Sequence, residues 1–350
     1  MSAFPFFYFS TMSDHILRPS KLPERSDVIS LEMYLLRQLI NPFRLSWTLI
    51  KLGYEPLAPV RFYSPLAMLG WTTPIYVYPN IFQYVYHTFR TFGVWKIIST
   101  GVFASASIDF ISEIFHRAFS RRSVVWETWL GSPESVTSYS DGSGLEDTSE
   151  PHLTIQQRHS AFRVEDQMEE SEWRVFLHML TEAMSLKAWE VLLTQPFLVV
   201  MVRQVASLIG GETQYSWFPV AVRSVYRETG FSGFFQGIIP RLFGELIGTV
   251  VYYTTCRLIR RWIFGIQRKR STSLCMSEVL VYLGLRGYVY PFELTGCIMT
   301  LRGANLIAAN EANLFSSWRP LRSYLIASGQ ANRGWFPICR SHVQSKHMPT

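Results

Sequence analysis

Two carboxylates stand at matching positions in apolar stretches of the chain. Asp109 lies eight residues after Gly101, and Glu245 lies eight residues after Gly237. An ionised side chain at bilayer depth is costly, so such residues normally face the interior of a helix bundle or a water-filled cavity. There they would hydrate the cavity and offer charge or hydrogen bonds to the polar flank of a segment that crosses the membrane. This chemistry involves no covalent step.

Other polar residues in apolar stretches extend this candidate site. The groove-lining candidates are Glu245, Asp109, Arg203, Glu293, Arg302 and Asn305. Simpler structural interpretations stand beside this one. The carboxylates of Asp109 and Glu245 can pair with Arg203 or Arg37 and hold the bundle together. The Arg203 guanidinium can also extend along apolar surface to reach water, and Arg302 with Asn305 can mark the end of a helix.

The sequence lacks the motifs of common soluble enzymes. It contains no G-x-x-x-x-G-K-S/T, H-E-x-x-H or G-x-S-x-G. The spacing of its four cysteines fits neither zinc ligands nor a dense disulfide framework, so we expect free thiols, no metal and no cofactor. The basic residues lie at the ends of apolar stretches without a nucleic-acid recognition fold, so we expect no nucleic-acid partner. These observations indicate a protein that is not an enzyme.

Composition favours a membrane protein. Of 350 residues, 48% are hydrophobic, 15% are aromatic and 17% are charged, whereas a soluble domain usually carries about 25% charged residues. The net charge is +7, yet Gly131–Glu172 contains ten acidic and only two basic residues. The basic surplus therefore belongs to the apolar part of the chain, where cations at helix ends would lie among lipid headgroups.

Five apolar segments could form membrane helices. They span residues 31–52, 97–119, 173–209, 238–264 and 276–309. The first, third and fifth contain Pro42, Pro196 and Pro291, and a proline kinks or breaks a helix. Pro196 and Pro291 are 95 residues apart. The distance from Pro42 to Pro196 becomes similar, about 100 residues, when a Ser/Gly/acid-rich insert of roughly 50 residues is subtracted, so the spacing predicts three repeats.

Two glycines follow each proline at corresponding places. The first glycines are Gly93, Gly230 and Gly329, and the second glycines are Gly101, Gly237 and Gly334. A glycine after an amphipathic stretch commonly adopts the left-handed conformation that ends a helix. We therefore expect each repeat to contain a helix-ending turn followed by the start of a new helix.

This organisation resembles the mitochondrial carrier superfamily, whose repeat has a proline-kinked odd-numbered helix, a short surface helix and a glycine-rich step into an even-numbered helix. The most specific match is residues 215–242, YSWFPVAVRSVYRETGFSGFFQGIIPRL. The expected domains are an N-terminal tail (1–30), a first repeat (31–119), a disordered acidic Ser/Gly-rich insert (120–172), a second repeat (173–265), an incomplete third repeat (271–340) and a C-terminal tail (341–350). Within the insert, residues 161–172 could extend the third helix into water.

Two departures from a solute carrier narrow the resemblance. Carriers close their matrix side with ion pairs built on Pro-x-Asp/Glu-x-x-Lys/Arg, but here only Glu293 keeps its acidic position, as a remnant without a partner three residues on. After Gly334 only sixteen residues remain, fewer than the about 20 that a membrane helix needs. The chain thus resembles the mitochondrial carrier homolog family. The expected fold is an all-α membrane protein with pseudo-threefold helical repeats and five transmembrane helices, the sixth missing.

The resemblance implies a multi-pass protein of the outer mitochondrial membrane. It implies insertion of α-helical, especially tail-anchored, proteins through a lipid-open hydrophilic groove, together with phospholipid scrambling and a role in apoptosis. The implied partners are membrane lipids, helical client proteins and BH3-type apoptotic proteins. Two alternatives stay open. A mitochondrial solute carrier requires a closed cavity, paired charges and a sixth helix, and a non-catalytic membrane receptor for apoptotic or metabolic partners requires surface loops rather than groove charges.

Overall fold

The computed structural model describes residues 37–62, 75–131, 155–262, 272–335 and 340–341. The α-helices in these ranges are α1 (Asn41–Lys51), α2 (Ile81–Phe92), α3 (Val94–Ser99), α4 (Val102–Gly131), α5 (Ile155–Gly210), α6 (Phe218–Thr229), α7 (Ile238–Trp262), α8 (Thr272–Met299), α9 (Asn310–Asn313) and α10 (Trp318–Ala327). Three short strands, β1 (Val60–Phe62), β2 (Ile75–Tyr78) and β3 (Arg340–Ser341), form an antiparallel sheet in the order β1-β2-β3. Apart from this small sheet, which the sequence did not lead us to expect, the fold is the expected α-helical one.

Long apolar helices confirm the membrane character of the fold. The spans Val94–Phe115, Trp173–Gly210 and Phe231–Ile259 are helical, long and apolar enough to cross a membrane. Helix α8, with 28 residues, is about 42 Å long at 1.5 Å per residue and also has the length to cross. Helices α1, α5 and α8 carry the repeat prolines. They correspond to the first, third and fifth helices of a carrier, and we call them odd-numbered for that reason, whatever their α labels. Helices α4 and α7 are the even-numbered ones.

Several expected boundaries are corrected by the structure. In the described part of the first segment, one helical turn at 37–39 is interrupted at Ile40, and α1 then begins, so Pro42 stands at the start of a helix rather than in its middle. This position suits proline, which has no N–H to donate to the preceding turn. Pro196 and Pro291 lie inside helices as expected. Helix α8 ends at Met299 instead of continuing to residue 309.

The insert is also shorter than expected. Helix α4 continues to Gly131 and α5 begins at Ile155, so helix replaces the expected disordered chain at 120–131 and at 155–172. The possibility that residues 161–172 extend the third helix is therefore the one that the structure supports. Residues 132–154 lie outside the described residues.

Each repeat contains three glycines with positive φ, one more than the sequence indicated. All six expected glycines have positive φ, and three further ones, Gly53, Gly211 and Gly303, each follow the end of an odd-numbered helix. Each repeat thus has three left-handed glycines, which end its odd-numbered helix, end its surface helix and start its even-numbered segment. The surface helices α2, α6 and α10 each bury a narrow stripe at helical spacing, for example Ala221 with Val225 and Leu321 with Leu325.

A hydrogen bond recurs in all three repeats. The side chain of the residue before each repeat proline donates to the backbone carbonyl of the residue before the second glycine. The pairs are Asn41 with Thr100 (3.2 Å), Gln195 with Gln236 (2.6 Å) and Tyr290 with Arg333 (2.6 Å). We call this contact the X-Pro clamp. It ties each odd-numbered helix to the step into the even-numbered segment, and three different residue types provide it.

The core lies at the end of the bundle where the odd-numbered helices finish and the surface helices lie, which we call the loop end. There residues 198–206 of α5 pack against residues 290–301 of α8 and against α6 and α10, and a second cluster joins α1, α2 and α5. Large apolar side chains further along α5, α7 and α8 are exposed, including Trp189, Ile247 and Leu280. An exposed apolar surface of this kind suits contact with lipid.

Replacing Gly237 with alanine should destabilise the bundle. Gly237 has φ +75° and its added Cβ would meet the backbone oxygen of Gly296 in α8. The left-handed conformation and the backbone collision together should cost at least about 2 kcal/mol. Gly93→Ala is the matched control, because Gly93 also has positive φ but no atom within 4 Å of the added Cβ. Thermal unfolding in detergent should show a clearly larger loss for Gly237→Ala, and equal losses would contradict the close helix contact.

Replacing Tyr290 with phenylalanine should weaken the third X-Pro clamp. The change removes only the hydroxyl that donates to the Arg333 carbonyl, and an unsatisfied buried acceptor costs about 1–3 kcal/mol. Thermal unfolding should reveal a lower midpoint for Tyr290→Phe than for the control Tyr226→Phe, whose ring is exposed. An unchanged midpoint would show that the clamp contributes nothing to stability.

Candidate functional site

Arg44 in α1 pairs with the first of the two expected carboxylates. Its Nη2 donates to both oxygens of Asp109, at 2.9 and 3.2 Å, and Gln38 Nε2 reaches the same carboxylate at 3.4 Å. Asp109 belongs to α4, so the ion pair connects the two helices of the first repeat. The sequence suggested Arg37 or Arg203 as its partner. Arg37 instead pairs with Glu113, one turn further along α4, at 3.0 Å.

Lys187 in α5 lies between two glutamates, one of which is the second expected carboxylate. Its Nζ is 3.0 Å from Glu190 and 3.6 Å from Glu245 of α7. We call these three residues the charged triad. Glu190 also interacts with the hydroxyl of Ser112 in α4. The triad therefore connects α5 to both neighbouring even-numbered helices, and two of its three members, Lys187 and Glu190, were missed by the sequence analysis.

In the two complete repeats, a side chain of the even-numbered helix donates a hydrogen bond to the residue that forms the X-Pro clamp. Arg241 of α7 donates to the Gln195 amide oxygen at 2.9 Å and to Thr194 Oγ1 at 3.0 Å. In the first repeat Ser105 of α4 donates to the Asn41 amide oxygen at 3.3 Å. Each amide thus donates through its nitrogen and accepts through its oxygen. Arg241, which is almost fully buried, depends on these partners because a buried guanidinium without hydrogen bonds is very costly.

Glu293 has a partner that the carrier motif did not predict. Its Oε1 is 2.7 Å from the Nζ of Lys51 in α1, and Arg286 lies on its other side at 3.9 Å. Lys51 Nζ also lies 4.9 Å from the centre of the Trp47 ring and 5.4 Å from that of Tyr290. This ion pair joins the odd-numbered helices of the first and third repeats. Glu293 is therefore part of an inter-repeat contact, and its nearer partner comes from another helix, while Arg286 of its own helix is farther away.

Arg203, Arg302 and Asn305 lie elsewhere. Arg203 is fully buried and donates to the carbonyls of Thr300 and Arg302, at 3.1 and 3.2 Å, where α8 ends. Asn305 contributes its backbone carbonyl to Gln214, and both Arg302 and Asn305 are exposed in the turn after α8. The structure does not bring these three residues to the carboxylates. Arg203 instead fastens the second repeat to the third, because its donors satisfy carbonyls at the helix end.

Tyr215 and Glu228, which lie outside the membrane spans, form a compact polar cluster with Arg203 near the end of α5. Arg203 Nη1 is 3.4 Å from both Glu228 and the hydroxyl of Tyr215. Burial, together with the hydrogen bond to the Glu228 carboxylate, raises the pKa of Tyr215. The hydroxyl therefore stays protonated at neutral pH and donates to Glu228, while the arginine balances the carboxylate charge. The cluster has the geometry of a structural support.

Polar contacts connect the five long or proline-bearing helices in sequence. They run from Arg44 of α1 to Asp109, with Arg37 of the preceding turn paired with Glu113, then from Ser112 to Glu190, from Lys187 to Glu245, from Glu245 electrostatically to Arg286, and from Glu293 to Lys51. We call the charged residues in these contacts the charged belt. Most of the acids in the belt keep between one tenth and three tenths of their side chain exposed, so they are accessible to a polar group entering the bundle.

The belt offers reversible polar contacts rather than covalent chemistry. In the part of the chain that the structure describes, no group of three His, Cys, Asp or Glu side chains comes together in a way that could hold a metal ion. The members of the belt are carboxylates, ammonium groups and guanidinium groups. They can exchange partners with charged or hydrogen-bonding groups of another molecule.

The described residues contain no helix at the position of a carrier's sixth helix. No helix follows α10 there, and Arg340 and Ser341 instead form β3, paired with Tyr78 and Val77. Trp47 Nε1 donates to the Gly334 carbonyl at 2.6 Å, and Arg333 donates to the Lys51 carbonyl at 2.7 Å. These contacts join the end of the third repeat to α1 at the loop end.

Comparisons with known proteins agree with this repeat. A family model described as mitochondrial carrier protein matches residues 172–267, which contain α6, α7 and the membrane part of α5. Mitochondrial carrier homolog 2 of Mus musculus is 23% identical over 304 residues, which are 85% of this chain and 88% of that protein.

Two further relatives match over shorter stretches. Mitochondrial carrier homolog 2 of Bos taurus is 28% identical over 162 residues, or 44% of this chain and 52% of that protein. Mitochondrial carrier homolog 1 of Mus musculus is 26% identical over 167 residues, or 41% and 42% of the two chains. With the repeat of prolines and left-handed glycines, these matches support the mitochondrial carrier homolog family as the family of this chain, and with the membrane-length helices they point to a mitochondrial membrane protein.

Proposed function

We propose that the protein is an insertase of the outer mitochondrial membrane for α-helical, above all tail-anchored, proteins. The observation that carries the proposal is the charged belt, whose partly exposed ion pairs lie on helices with lipid-facing apolar surfaces. The proposal places the open side of the groove between α8 and α1, where a carrier would have its sixth helix. A client segment would enter there from the lipid.

The physical task of an insertase is to lower the cost of moving a polar flank across the hydrocarbon layer. An unpaired charge at the bilayer centre is very unfavourable. Asp109, Glu245 and Glu293 would offer hydrogen bonds and opposite charge along the path. Each carboxylate already has a cationic partner, so a client group would replace one ionic contact with another. The passage would then need no large desolvation step.

The proposal extends to two further properties implied by the family resemblance. Phospholipid scrambling would use the same groove, because a headgroup crossing the bilayer meets the same electrostatic barrier as a polar peptide flank. BH3-type apoptotic proteins are proposed as partners because they bind as amphipathic helices, and the proposed clients are helical as well.

A solute carrier is less consistent with the contacts. Its closed state requires ion pairs among all three odd-numbered helices, but the corresponding positions of the second repeat are the buried apolar residues Leu198 and Met201. The pair between Lys51 and Glu293 links the first and third repeats only. One ion pair between two of the three odd-numbered helices does not form the ring that closes one side of a carrier.

Reconstitution in liposomes tests the proposal. The wild-type protein should insert a tail-anchored client, measured by protease protection, and scramble labelled phospholipid above the level of empty vesicles. Glu245→Arg should lower insertion about fivefold, the effect of losing roughly 1 kcal/mol of favourable interaction, because it places a cation beside Lys187 and near Arg286. Asp109→Ala should also lower insertion. Glu245→Asp, which keeps the carboxylate, should retain most of the activity.

Arg223→Gln serves as the control away from the groove, because Arg223 is exposed on α6. It should behave like the wild type. If the wild type and all variants fold but show neither insertion nor scrambling, the insertase is rejected and the receptor alternative is favoured. Uptake of a small solute without insertion would favour the solute carrier.

A further inference from the structure

The two carboxylates of the charged triad are not equally neutralised. Lys187 Nζ is closer to Glu190, at 3.0 Å, than to Glu245, at 3.6 Å. Glu245 also has the more exposed side chain, 27% against 17% for Glu190. One ammonium group thus serves two carboxylates, and the less tightly held carboxylate is the more accessible one.

Other cations near Glu245 are engaged with different partners. Arg241, one turn away on α7, donates to Gln195 and Thr194. Arg286 of α8 donates to the Tyr282 hydroxyl at 2.8 Å and is also close to Glu293. Both arginines also interact electrostatically with Glu245, whereas Lys187 lies within ion-pair distance of it across the helix interface. Lys187 can leave Glu245 without losing its own ionic contact, because Glu190 lies three residues away on the same helix.

We infer that the charged triad is a recognition site for the basic flank of a client segment, and that Lys187 sets the charge preference of the site. This inference rests on the proposed insertase function. A lysine or arginine next to the client's apolar segment would replace Lys187 at Glu245, while Lys187 moves fully onto Glu190. The exchange conserves the number of ionic contacts, so a basic flank crosses this level at low cost. An acidic flank could pair with Lys187 only by displacing Glu245 or Glu190 from it, so it would cross this level at a higher cost than a basic flank.

The position of the triad favours a peptide flank over the ammonium group of a lipid. Glu245 lies eight residues after Gly237, which is about 12 Å along α7 from the loop end at 1.5 Å per residue. The flank of a crossing segment must pass this level in every insertion, whereas a lipid headgroup lies at the interface except while it is being scrambled.

Two reporter clients with the same apolar segment test the inference. One carries two lysines after the segment and the other carries two glutamates, and the measured quantity is the ratio of their protease-protected insertion into proteoliposomes. Lys187→Met should raise the lysine-to-glutamate ratio about threefold or more, which corresponds to roughly 0.7 kcal/mol, because Glu245 loses its nearest cation. Glu190→Gln should lower the ratio, because Lys187 then pairs with Glu245 alone. Lys187→Arg keeps the charge and should leave the ratio near the wild-type value.

The outcomes separate this inference from the proposed function. Insertion of both clients by the wild type, with a ratio that neither Lys187→Met nor Glu190→Gln changes, would overturn the inference and leave the insertase standing. No insertion by the wild type would overturn both. If Lys187→Met does not fold, the opposite shift expected of Glu190→Gln still decides. Variants that alter scrambling of ethanolamine lipids but not the client ratio would assign the triad to lipid and overturn the inference.

Discussion

A charge inside a membrane-spanning bundle requires a partner, because the loss of hydration is much larger than any single hydrogen bond can offset. In this protein the partner usually comes from a neighbouring helix. The pairs are Arg44 with Asp109, Arg37 with Glu113, Lys187 with Glu245, and Lys51 with Glu293. The same contacts therefore do two things. They hold helices together where apolar packing alone is weak, and they make the inner surface polar.

The third repeat shows how residues at its described end hold one end of the bundle together. Tyr290 keeps the X-Pro clamp, although the step it holds leads to β3 in the described residues rather than to a helix. Arg333 and Gly334 then supply contacts to Lys51 and Trp47 of α1. All of these contacts lie at the loop end. The stability of this end and the openness expected further along α8 and α1 are thus compatible, since different residues determine them.

The sequence was sufficient for the repeat but not for the partners. Proline and glycine act through their own backbone restrictions, so Pro196, Pro291 and the six glycines could be placed from spacing alone. The X-Pro clamp was not predictable, because asparagine, glutamine and tyrosine share no pattern. Lys187, Glu190 and Lys51 could have been found as charges in apolar segments. Their pairing depends on helix rotation and on the interruption before α1, which no local pattern encodes.

The strength of the ion pairs bears on what the bundle can do. A gate built from ion pairs holds a carrier closed only if the pairs form a complete ring, and here Leu198 and Met201 interrupt it. Pairs that are partly exposed and share partners, as in the charged triad, are weaker and can exchange. A path across a membrane needs such contacts, because a site that binds a polar flank too tightly would retain it. The triad satisfies this condition because Glu190 can receive Lys187 whenever Glu245 is occupied by another cation.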